Sequence, residues 1–228
     1  YQAGHRPAKG TDVAWGESNA VVFCNSVIGA RTNRYGDFID LCCALTGRAP
    51  AWGLHLDEPR RGQVVFELTG FGDSPEPTDA LFVGVGLLLG SHSADRVPVV
   101  VGLPPPRDDD QMKALGAAAA SAGSVALFHA VGITPEAPTL AAALGGRPAD
   151  TTIAVTLHDV RQALAALSTV PAGTPIVAVC LGTPHFSRDE WNRLLPLLER
   201  EAPAHGVPIY VNTDRATLAG LEADGVLD

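Results

Sequence analysis

From about residue 97 onward, short runs of β-branched and other apolar residues alternate with longer segments of helical periodicity. The apolar runs predict strands at residues 97–103, 124–131, 151–156, 175–181 and 207–212. The periodic segments predict helices at residues 109–122, 157–168, 187–201 and 214–223, with a shorter helix at 138–144. Because strands that alternate with helices are typical of βαβ units, the pattern predicts an α/β fold with a mainly parallel sheet.

The first part of the chain mixes polar residues into its helical pattern. Ser18 is suited to cap a helix over residues 20–28, and Gly29 is suited to end it in a left-handed conformation. Asp37 can cap a second helix over residues 38–46. Two helices are therefore expected to frame a polar loop.

A charged turn and a glycine-containing helix follow. Residues 51–56 and 63–69 predict two strands on either side of a charged turn at 57–62. Residues 79–90 predict a helix whose glycines indicate close packing against a neighbouring element.

The length and composition are those of a globular protein. The chain has 228 residues, 46% hydrophobic and 18% charged, so it can bury a substantial core. A candidate boundary near residues 147–150 would divide it into an α/β region, residues 1–150, which carries the polar loop, and a βαβαβα lobe, residues 151–228. One continuous unit is the alternative. Because no methionine or apolar leader opens the sequence, we expect an internal piece of a longer polypeptide.

Charge and cysteine content exclude several classes of protein. The formal net charge of -9 argues against general nucleic-acid binding, which needs a basic face. No apolar run approaches the roughly 20 residues that span a bilayer, so no membrane association is expected. Four cysteines without C-x-x-C spacing indicate a reducing, cytoplasmic setting and no disulfide framework. An anionic substrate would then need a local positive pocket.

Two arginines in the polar loop are the best candidates for that pocket. Guanidinium groups such as those of Arg31 and Arg34 match carboxylate or phosphate oxygens bidentately, and the following helix N-terminus would add a positive dipole end. The alternative is a surface turn whose arginines pair with Glu17 or Asp37. Parallel sheets also collect ligands at the carboxyl ends of strands, and we expect His129 to lie at such an end.

Blocks of sequence across most of the chain resemble the aconitase X large subunit. They are WGESNAV at 15–21, CNSVIGARTNRYGD at 24–37, LTGRAP at 45–50, GLHL at 53–56, LFHAVGITPE at 127–136 and LGTPHFS at 181–187. The resemblance implies aconitase-like lobes with three α/β/α layers and mainly parallel sheets. It also implies a hydro-lyase that removes water from a small anionic hydroxy acid, with an iron–sulfur cluster or iron as cofactor.

Known members of this family act on different substrates. They include bacterial cis-3-hydroxy-L-proline dehydratases and archaeal phosphomevalonate dehydratases. Cys24, Tyr35 and the Thr-Pro-His sequence that begins at Thr183 resemble the bacterial branch, so cis-3-hydroxy-L-proline is the expected substrate and phosphomevalonate the alternative. The family also implies a small swivelling aconitase X domain or subunit as partner.

The resemblance suggests roles for individual residues. Metal ligation is assigned to Cys24. Substrate binding is assigned to Ser18, Asn19, Asn25, Arg31, Thr32, Asn33, Arg34, Thr183 and His185. Other branches have Cys where Thr183 stands, which puts a four-iron cluster in doubt. The catalytic base is not identifiable from the sequence.

Structural alternatives remain beside these assignments. Residues 181–190 also form a good strand, turn and helix start, with Ser187 and Glu190 as a capping box that needs no ligand. A non-catalytic binding or scaffolding lobe of an aconitase-like assembly is a second functional hypothesis. A nucleotide-binding module is disfavoured because the chain has neither a P-loop nor a G-x-G-x-x-G motif.

Overall fold

The computed structural model describes residues 4–36, 38–71, 78–200 and 206–226. Contacts between them define a larger unit, residues 6–168, and a smaller unit formed mainly by the residues from 169 onward. None of the helices formed by the described residues is long and apolar enough to cross a membrane.

A four-stranded parallel sheet forms the centre of the larger unit. Its strands are β1 (Val64–Thr69), β2 (Pro98–Val101), β3 (His129–Ala130) and β4 (Thr151–Thr156), in the order β3-β2-β1-β4. β1 pairs with β2 over four residues and with β4 over six. The prediction of an α/β fold with a mainly parallel sheet is confirmed, although β3 is shorter than the predicted strand at 124–131.

Six α-helices accompany this sheet among the described residues of the larger unit. They are α1 (Ser18–Phe23), α2 (Ile39–Thr46), α3 (Asp79–Ser93), α4 (Asp109–Ala122), α5 (Leu140–Ala143) and α6 (Leu157–Ala165). A π-helical segment, Cys24–Ile28, continues α1, and two short 3-10 helices span Gly53–His55 and Glu58–Arg60.

The two faces of the sheet are covered by different helices. Val65 and Val99 pack against Ala137, Ala143 and Leu144, which places α5 on one face. Val64 and Phe66, which alternate with Val65 along β1, are also buried, so the opposite face is covered too. By the general rule that crossovers between parallel strands are right-handed, α3 and α4 are assigned to that face. The larger unit therefore has three α/β/α layers.

Glycines allow α3 to lie unusually close to α4. A Cβ atom at Gly86 would lie 2.3 Å from the carbonyl oxygen of Leu115, and one at Gly90 would lie 2.6 Å from that of Ala119. The predicted close packing of this helix is confirmed. Side chains at these positions would push the two backbones apart.

The start of α1 differs from the prediction by one residue. Glu17, not Ser18, is the N-cap, and its carboxylate accepts hydrogen bonds from Asn19 N at 2.8 Å and Ala20 N at 2.6 Å. A carboxylate has two acceptor oxygens and a charge that suits the helix N-terminus, so it replaces the predicted hydroxyl. Gly29 ends the helical segment at φ 75°, as predicted. The predicted cap at Asp37 lies outside the described residues.

The strand predicted at 51–56 is absent from the described residues, whereas the one at 63–69 is confirmed as β1. Residues 53–55 form a 3-10 turn because the side-chain amide of Asn33 hydrogen-bonds to backbone groups that would otherwise pair with a neighbouring strand. It donates to Trp52 O at 3.0 Å and accepts from Leu54 N at 2.7 Å. Gly53 adopts φ 62°, which also interrupts a strand.

Residues 151–168 group with the larger unit, whereas the sequence placed them in a lobe with the last strands. The cause is the pairing of β4 with β1 from Val64↔Thr151 to Thr69↔Thr156, and α6 also packs on α3. The division of the chain into functional domains stays a prediction.

The described residues of the smaller unit form two parallel strands and two helices. They are β5 (Val179–Phe186), α7 (Arg188–Arg200), β6 (Ile209–Thr213) and α8 (Arg215–Ala223). Ser187 Oγ accepts from Glu190 N at 3.1 Å, and the Glu190 carboxylate accepts from Ser187 N at 2.8 Å. The predicted capping box is confirmed.

Candidate functional site

Alternate side chains of the polar loop, residues 31–35, contact two different sets of partners. Arg31, Asn33 and Tyr35 all contact the segment at residues 52–57. Their bonds are Arg31 Nη1 to His55 O (2.8 Å), Asn33 Nδ2 to Trp52 O (3.0 Å), Leu54 N to Asn33 Oδ1 (2.7 Å) and Tyr35 Oη to His55 Nε2 (2.5 Å). The loop thus has the two-residue side-chain period of a strand.

The even-numbered residues of the loop bind elsewhere. The hydroxyl of Thr32 accepts from Trp15 N at 3.2 Å, and its main-chain N donates to Asn25 Oδ1 at 3.0 Å. Arg34 donates to the carbonyls of Ala120 at 3.3 Å and Gly123 at 3.0 Å, where α4 ends. A cation at a helix C-terminus satisfies unpaired carbonyls and opposes the helix dipole. The two arginines therefore do not act on one group in this arrangement.

Asn25 uses all the hydrogen bonds of its side-chain amide within the fold. Nδ2 donates to Thr32 O at 2.8 Å and Ala126 O at 2.9 Å. Oδ1 accepts from Thr32 N and Arg60 Nη1, both at 3.0 Å. An amide has two donors and two acceptor sites. The geometry gives Asn25 a structural role and supplies no support for the predicted role in substrate binding.

Arg60 is a central residue of this site that sequence reasoning missed. Its side chain is only 4% exposed, and Nε donates to both carboxylate oxygens of Glu136 at 3.0 and 2.9 Å. Its Nη atoms donate to Asn25 Oδ1 (3.0 Å), Leu54 O (2.9 Å), Asn25 O (3.0 Å) and Ala30 O (3.4 Å). No local signal marks it, because the surrounding sequence is that of an exposed charged turn.

A cavity of about 250 Å3 lies beside this buried arginine. It is lined by Arg31, Asp57, Glu58, Arg60, Arg61, His129, Glu136, Ala142, Ala143 and Gly145. Residues 60–62 precede β1, and His129 is the first residue of β3, so the cavity lies at the amino-terminal edge of these strands. The expectation that His129 ends a strand is wrong, because β3 begins where the predicted strand was near its end.

His129 presents a nitrogen without a hydrogen-bond partner among the described residues. Nε2 lies 2.7 Å from the carbonyl oxygen of Arg60, which can only accept, so Nε2 carries the proton. Nδ1 is then a buried acceptor without a partner. Burial lowers the pKa of His129, which favours this neutral ring.

His55 links Asp12 to Tyr35 at the other side of Arg31. The imidazole is 4% exposed, with Nδ1 2.7 Å from Asp12 Oδ1 and Nε2 2.5 Å from Tyr35 Oη. The sequence placed His55 in a predicted strand and gave no indication that Asp12 or Tyr35 would contact it.

The chain is similar to known proteins over most of its length. Residues 1–58 match the aconitase X first domain, and residues 62–165 match the aconitase X second domain. The chain belongs to the aconitase X family. The aconitase X of Thermococcus kodakaraensis, in its holo form, has a similar structure with a TM-score of 0.87 and 31% identity, over 99% of this chain and 55% of that chain.

Curated relatives within the aconitase X family include two kinds of dehydratase. The chain is 42% identical to the cis-3-hydroxy-L-proline dehydratase of Pseudomonas aeruginosa, over 96% of this chain and 37% of the relative. It is 37% identical to the phosphomevalonate dehydratase large subunit of Methanothermobacter thermautotrophicus, over 90% of this chain and 48% of the relative. The chain thus spans less than half the length of these two relatives.

The remaining predicted residues of this aconitase X chain belong to two different units. Ser18 and Asn19 lie in the first turn of α1, where Asn19 Oδ1 is buried without a hydrogen-bond partner among the described residues. Thr183 and His185 lie on β5 in the smaller unit. Their binding roles stay predictions.

The side chains present do not, by themselves, fit the iron centre that aconitase X membership suggests. Cys24 is fully buried, and burial raises the pKa of its thiol to about 12, against the opposing effect of Arg60. Metals bind the thiolate, which this environment disfavours. Among the described residues, no group of three or more His, Cys, Asp or Glu side chains is arranged to hold a metal ion.

Proposed function

We propose that this chain is part of a hydro-lyase that removes water from cis-3-hydroxy-L-proline. The observation that carries the proposal is the similarity to two cis-3-hydroxy-L-proline dehydratases, at 42% and 40% identity over 96% and 97% of the chain. The phosphomevalonate dehydratase large subunits of Methanothermobacter thermautotrophicus and Thermococcus kodakarensis are less similar, at 37% and 32% identity.

The charge balance of the cavity supports an amino-acid substrate. Three guanidinium groups and three carboxylates line it, beside a neutral His129. A zwitterion with one carboxylate and one ammonium group matches such a lining, because each of its charges finds an opposite partner. A molecule with both a phosphate and a carboxylate would need a surplus of cations.

Arg31 is the proposed ligand of the substrate carboxylate. It already binds a carboxylate, that of Asp57, whose side chain is 88% exposed and can be displaced at little cost. The Arg31 side chain is 25% exposed, so a ligand in the cavity can reach it. In an otherwise acidic chain, this guanidinium supplies the local positive charge that an anionic group requires.

The reaction requires a base for the proton beside the carboxylate and the departure of the hydroxyl group. We also propose that the whole protein uses an iron or iron–sulfur centre, which would assist the departing hydroxide, and a small aconitase X domain or subunit. The described residues do not supply enough ligands for that centre, so ligands other than Cys24 would come from other parts of the whole protein.

Phosphomevalonate is the second candidate substrate, supported by 37% identity over 90% of the chain to a named large subunit. A third hypothesis is a binding or scaffolding lobe without catalysis. The natural gene product should be purified without oxygen and assayed with both substrates. Turnover of cis-3-hydroxy-L-proline is expected, turnover of phosphomevalonate alone would overturn the substrate assignment, and activity on neither would favour the non-catalytic hypothesis.

A further inference from the structure

His129 lies in the wall of the cavity and has a hydrogen-bond acceptor that the described fold does not use. The residue is 2% exposed, and its Nδ1 has no partner among the described residues. Buried polar atoms without a partner are rare in folded proteins, and leaving one unpaired costs free energy. A ligand in the cavity that carries an N–H or O–H group would satisfy this acceptor.

The fold fixes which nitrogen of His129 is the acceptor. Nε2 lies 2.7 Å from the carbonyl oxygen of Arg60, which can only accept, so Nε2 carries the proton of the neutral ring. Burial lowers the pKa of His129, which keeps the ring neutral and the lone pair of Nδ1 available at neutral pH. Nδ1 therefore accepts hydrogen bonds and cannot donate them.

Arg31, the proposed ligand of the substrate carboxylate, is anchored to the same 3-10 turn as His129. Arg31 Nη2 binds the carboxylate of Asp57, which precedes this turn, and His129 Nε2 binds the carbonyl of Arg60, which ends it. Three residues with a rise of about 2.0 Å each place these two main-chain positions roughly 6 Å apart. The side chains of Arg31 and His129 therefore line one cavity from neighbouring anchor points.

The spacing of these anchor points suits the two charged groups of an α-amino acid. The nitrogen and the nearer carboxylate oxygen of such a molecule are about 3 Å apart, because both groups are attached to one carbon. A hydrogen bond of about 2.9 Å at each end extends the reach to at most roughly 9 Å between two protein atoms. The separation of the anchor points falls within that reach, which is consistent with one amino acid that contacts both Arg31 and His129.

Glu136 favours a cationic donor beside His129 over a neutral one. Its carboxylate lines the same cavity, is 20% exposed and acts on His129 more strongly than the opposite charge of Arg60. Both of its oxygens accept from Arg60 Nε, but a carboxylate has about four lone-pair sites, so acceptor capacity remains. A secondary ammonium group has two N–H donors, one for this carboxylate and one for His129 Nδ1.

We propose that His129 Nδ1 accepts a hydrogen bond from the ring ammonium of cis-3-hydroxy-L-proline, which makes His129 a specificity-determining residue. This assignment rests on the proposed hydro-lyase function. Phosphomevalonate has no N–H group to donate, and it carries anionic groups that Glu136 would repel. A site built to bond a donor discriminates strongly against ligands that lack it. His129 therefore favours the amino acid over phosphomevalonate.

Two substitutions in the natural gene product separate the roles of the two ring nitrogens. A glutamine can place its amide N–H near the position of Nε2 and keep the bond to Arg60 O, but it has no acceptor at the position of Nδ1. An asparagine can place its amide oxygen near the position of Nδ1 but does not reach Arg60 O. We expect His129→Gln to raise KM for cis-3-hydroxy-L-proline by about 10–100-fold, as for the loss of one hydrogen bond to a charged group, and to leave kcat within a few-fold. His129→Asn should stay closer to the unmodified protein.

Matched controls are available on the ligand and on the protein. An analogue with oxygen in place of the ring nitrogen, cis-3-hydroxytetrahydrofuran-2-carboxylate, keeps the carboxylate and the hydroxyl group but has no N–H. Its inhibition constant should be nearly the same for His129→Gln and the unmodified protein. His158→Gln, at an exposed position in the first turn of α6, should change neither KM nor this inhibition constant.

Nuclear magnetic resonance tests the contact directly, also where a variant fails to fold. L-Proline has the same carboxylate and ring ammonium as the proposed substrate but no hydroxyl group to lose. Its addition to the unmodified protein labelled with nitrogen-15 histidine should shift the Nδ1 resonance of His129 upfield, as for a neutral ring nitrogen that gains a donor.

The outcomes separate this inference from the proposed function. A KM that is unchanged in His129→Gln, or that rises as much or more in His129→Asn, overturns the role of Nδ1. An unmoved Nδ1 resonance at saturating L-proline, or no inhibition by L-proline, also overturns it and makes a water molecule or the substrate hydroxyl the partner of Nδ1. An unmodified protein that dehydrates neither candidate substrate overturns the proposed function, and the inference with it.

Discussion

Arg60 and Glu136 form an ion pair in which the guanidinium is 4% exposed and donates from Nε to both oxygens of the carboxylate. The partners lie 76 positions apart in the chain. The pair therefore joins the segment before β1 to the loop after β3, on the wall of the cavity.

Replacing Glu136 by Gln should destabilise the fold. Arg60 would remain buried with its charge uncompensated, and we expect a loss toward the lower end of about 3–5 kcal/mol, because Glu136 is itself 20% exposed. Denaturant unfolding measures the change. Glu58→Gln is the control, because its pair with Arg147 is well exposed and should contribute at most about 1 kcal/mol. Equal effects of the two variants would contradict the special role of burial.

Arg31→Lys and Arg34→Lys should have different effects, because the two arginines contact different groups. At Arg31, a lysine cannot reproduce the bidentate fork, and loss of one charged contact should weaken substrate binding by on the order of 1.5–3 kcal/mol, seen as a higher KM. At Arg34, the substitution weakens the hydrogen bonds to the carbonyls at the end of α4. This should lower the free energy of unfolding by about 0.3–1 kcal/mol without changing KM. A raised KM in the Arg34 variant would mean that both arginines bind the substrate.

Asp57→Asn should improve substrate binding. It removes the internal carboxylate that occupies Arg31, and because this pair is exposed the gain should be about 0.2–1 kcal/mol, at most about fivefold in KM. Asp109→Asn, which breaks the exposed pair with Arg6, serves as the control. A KM that rises in Asp57→Asn would mean that Asp57 helps to bind the substrate.

Gly86→Ala should separate α3 from α4. The added methyl would meet the Leu115 carbonyl oxygen at 2.3 Å, and overpacking of this kind costs about 1–3 kcal/mol in the free energy of unfolding. Gly220→Ala in α8 is the control, since the nearest atom would be Arg188 Nη1 at 3.5 Å and alanine favours a helix by roughly 0.5–1 kcal/mol. A neutral result at Gly86 would show that the helices can move apart freely.

Reconstitution of this 228-residue chain with iron and sulfide should leave it without a stoichiometric cluster. The described residues offer no three-ligand group, and the Cys24 thiol is buried and protonated. Bound iron and visible absorbance measure the outcome. In the same samples, brief alkylation should modify the exposed Cys42 and Cys180 and spare Cys24 until the chain unfolds. A full complement of iron bound in a Cys24-dependent manner would refute this expectation.

The fold could be predicted where local signals agree with tertiary contacts. The helix predicted at 109–122 has both of its predicted ends in the structure, where Asp108 caps it and Gly123 follows it. The strand at 51–56 failed because the side chain of Asn33 takes hydrogen bonds from a segment about twenty positions away. Apolar and β-branched residues give no sign of such a competitor.

The site could be predicted only in part. The sequence pointed to the loop at 31–35, but it treated the two arginines as equivalent and could not reveal that alternate residues face different elements. Arg60 was missed because its burial depends on Glu136, Asn25 and Leu54, which come from three other segments. The arginine in the charged turn looked like one that faces solvent.

Because alternate side chains of residues 31–35 contact two different sets of partners, the length of this loop is more strictly constrained than its composition. An insertion or deletion of one codon would reverse the facing of every loop residue beyond it, so Arg31 and Arg34 could not both keep their partners. A conservative exchange at any one position disturbs only one set. Evolutionary change in this loop should therefore proceed by substitution, and alignment gaps among functional relatives should fall on either side of it.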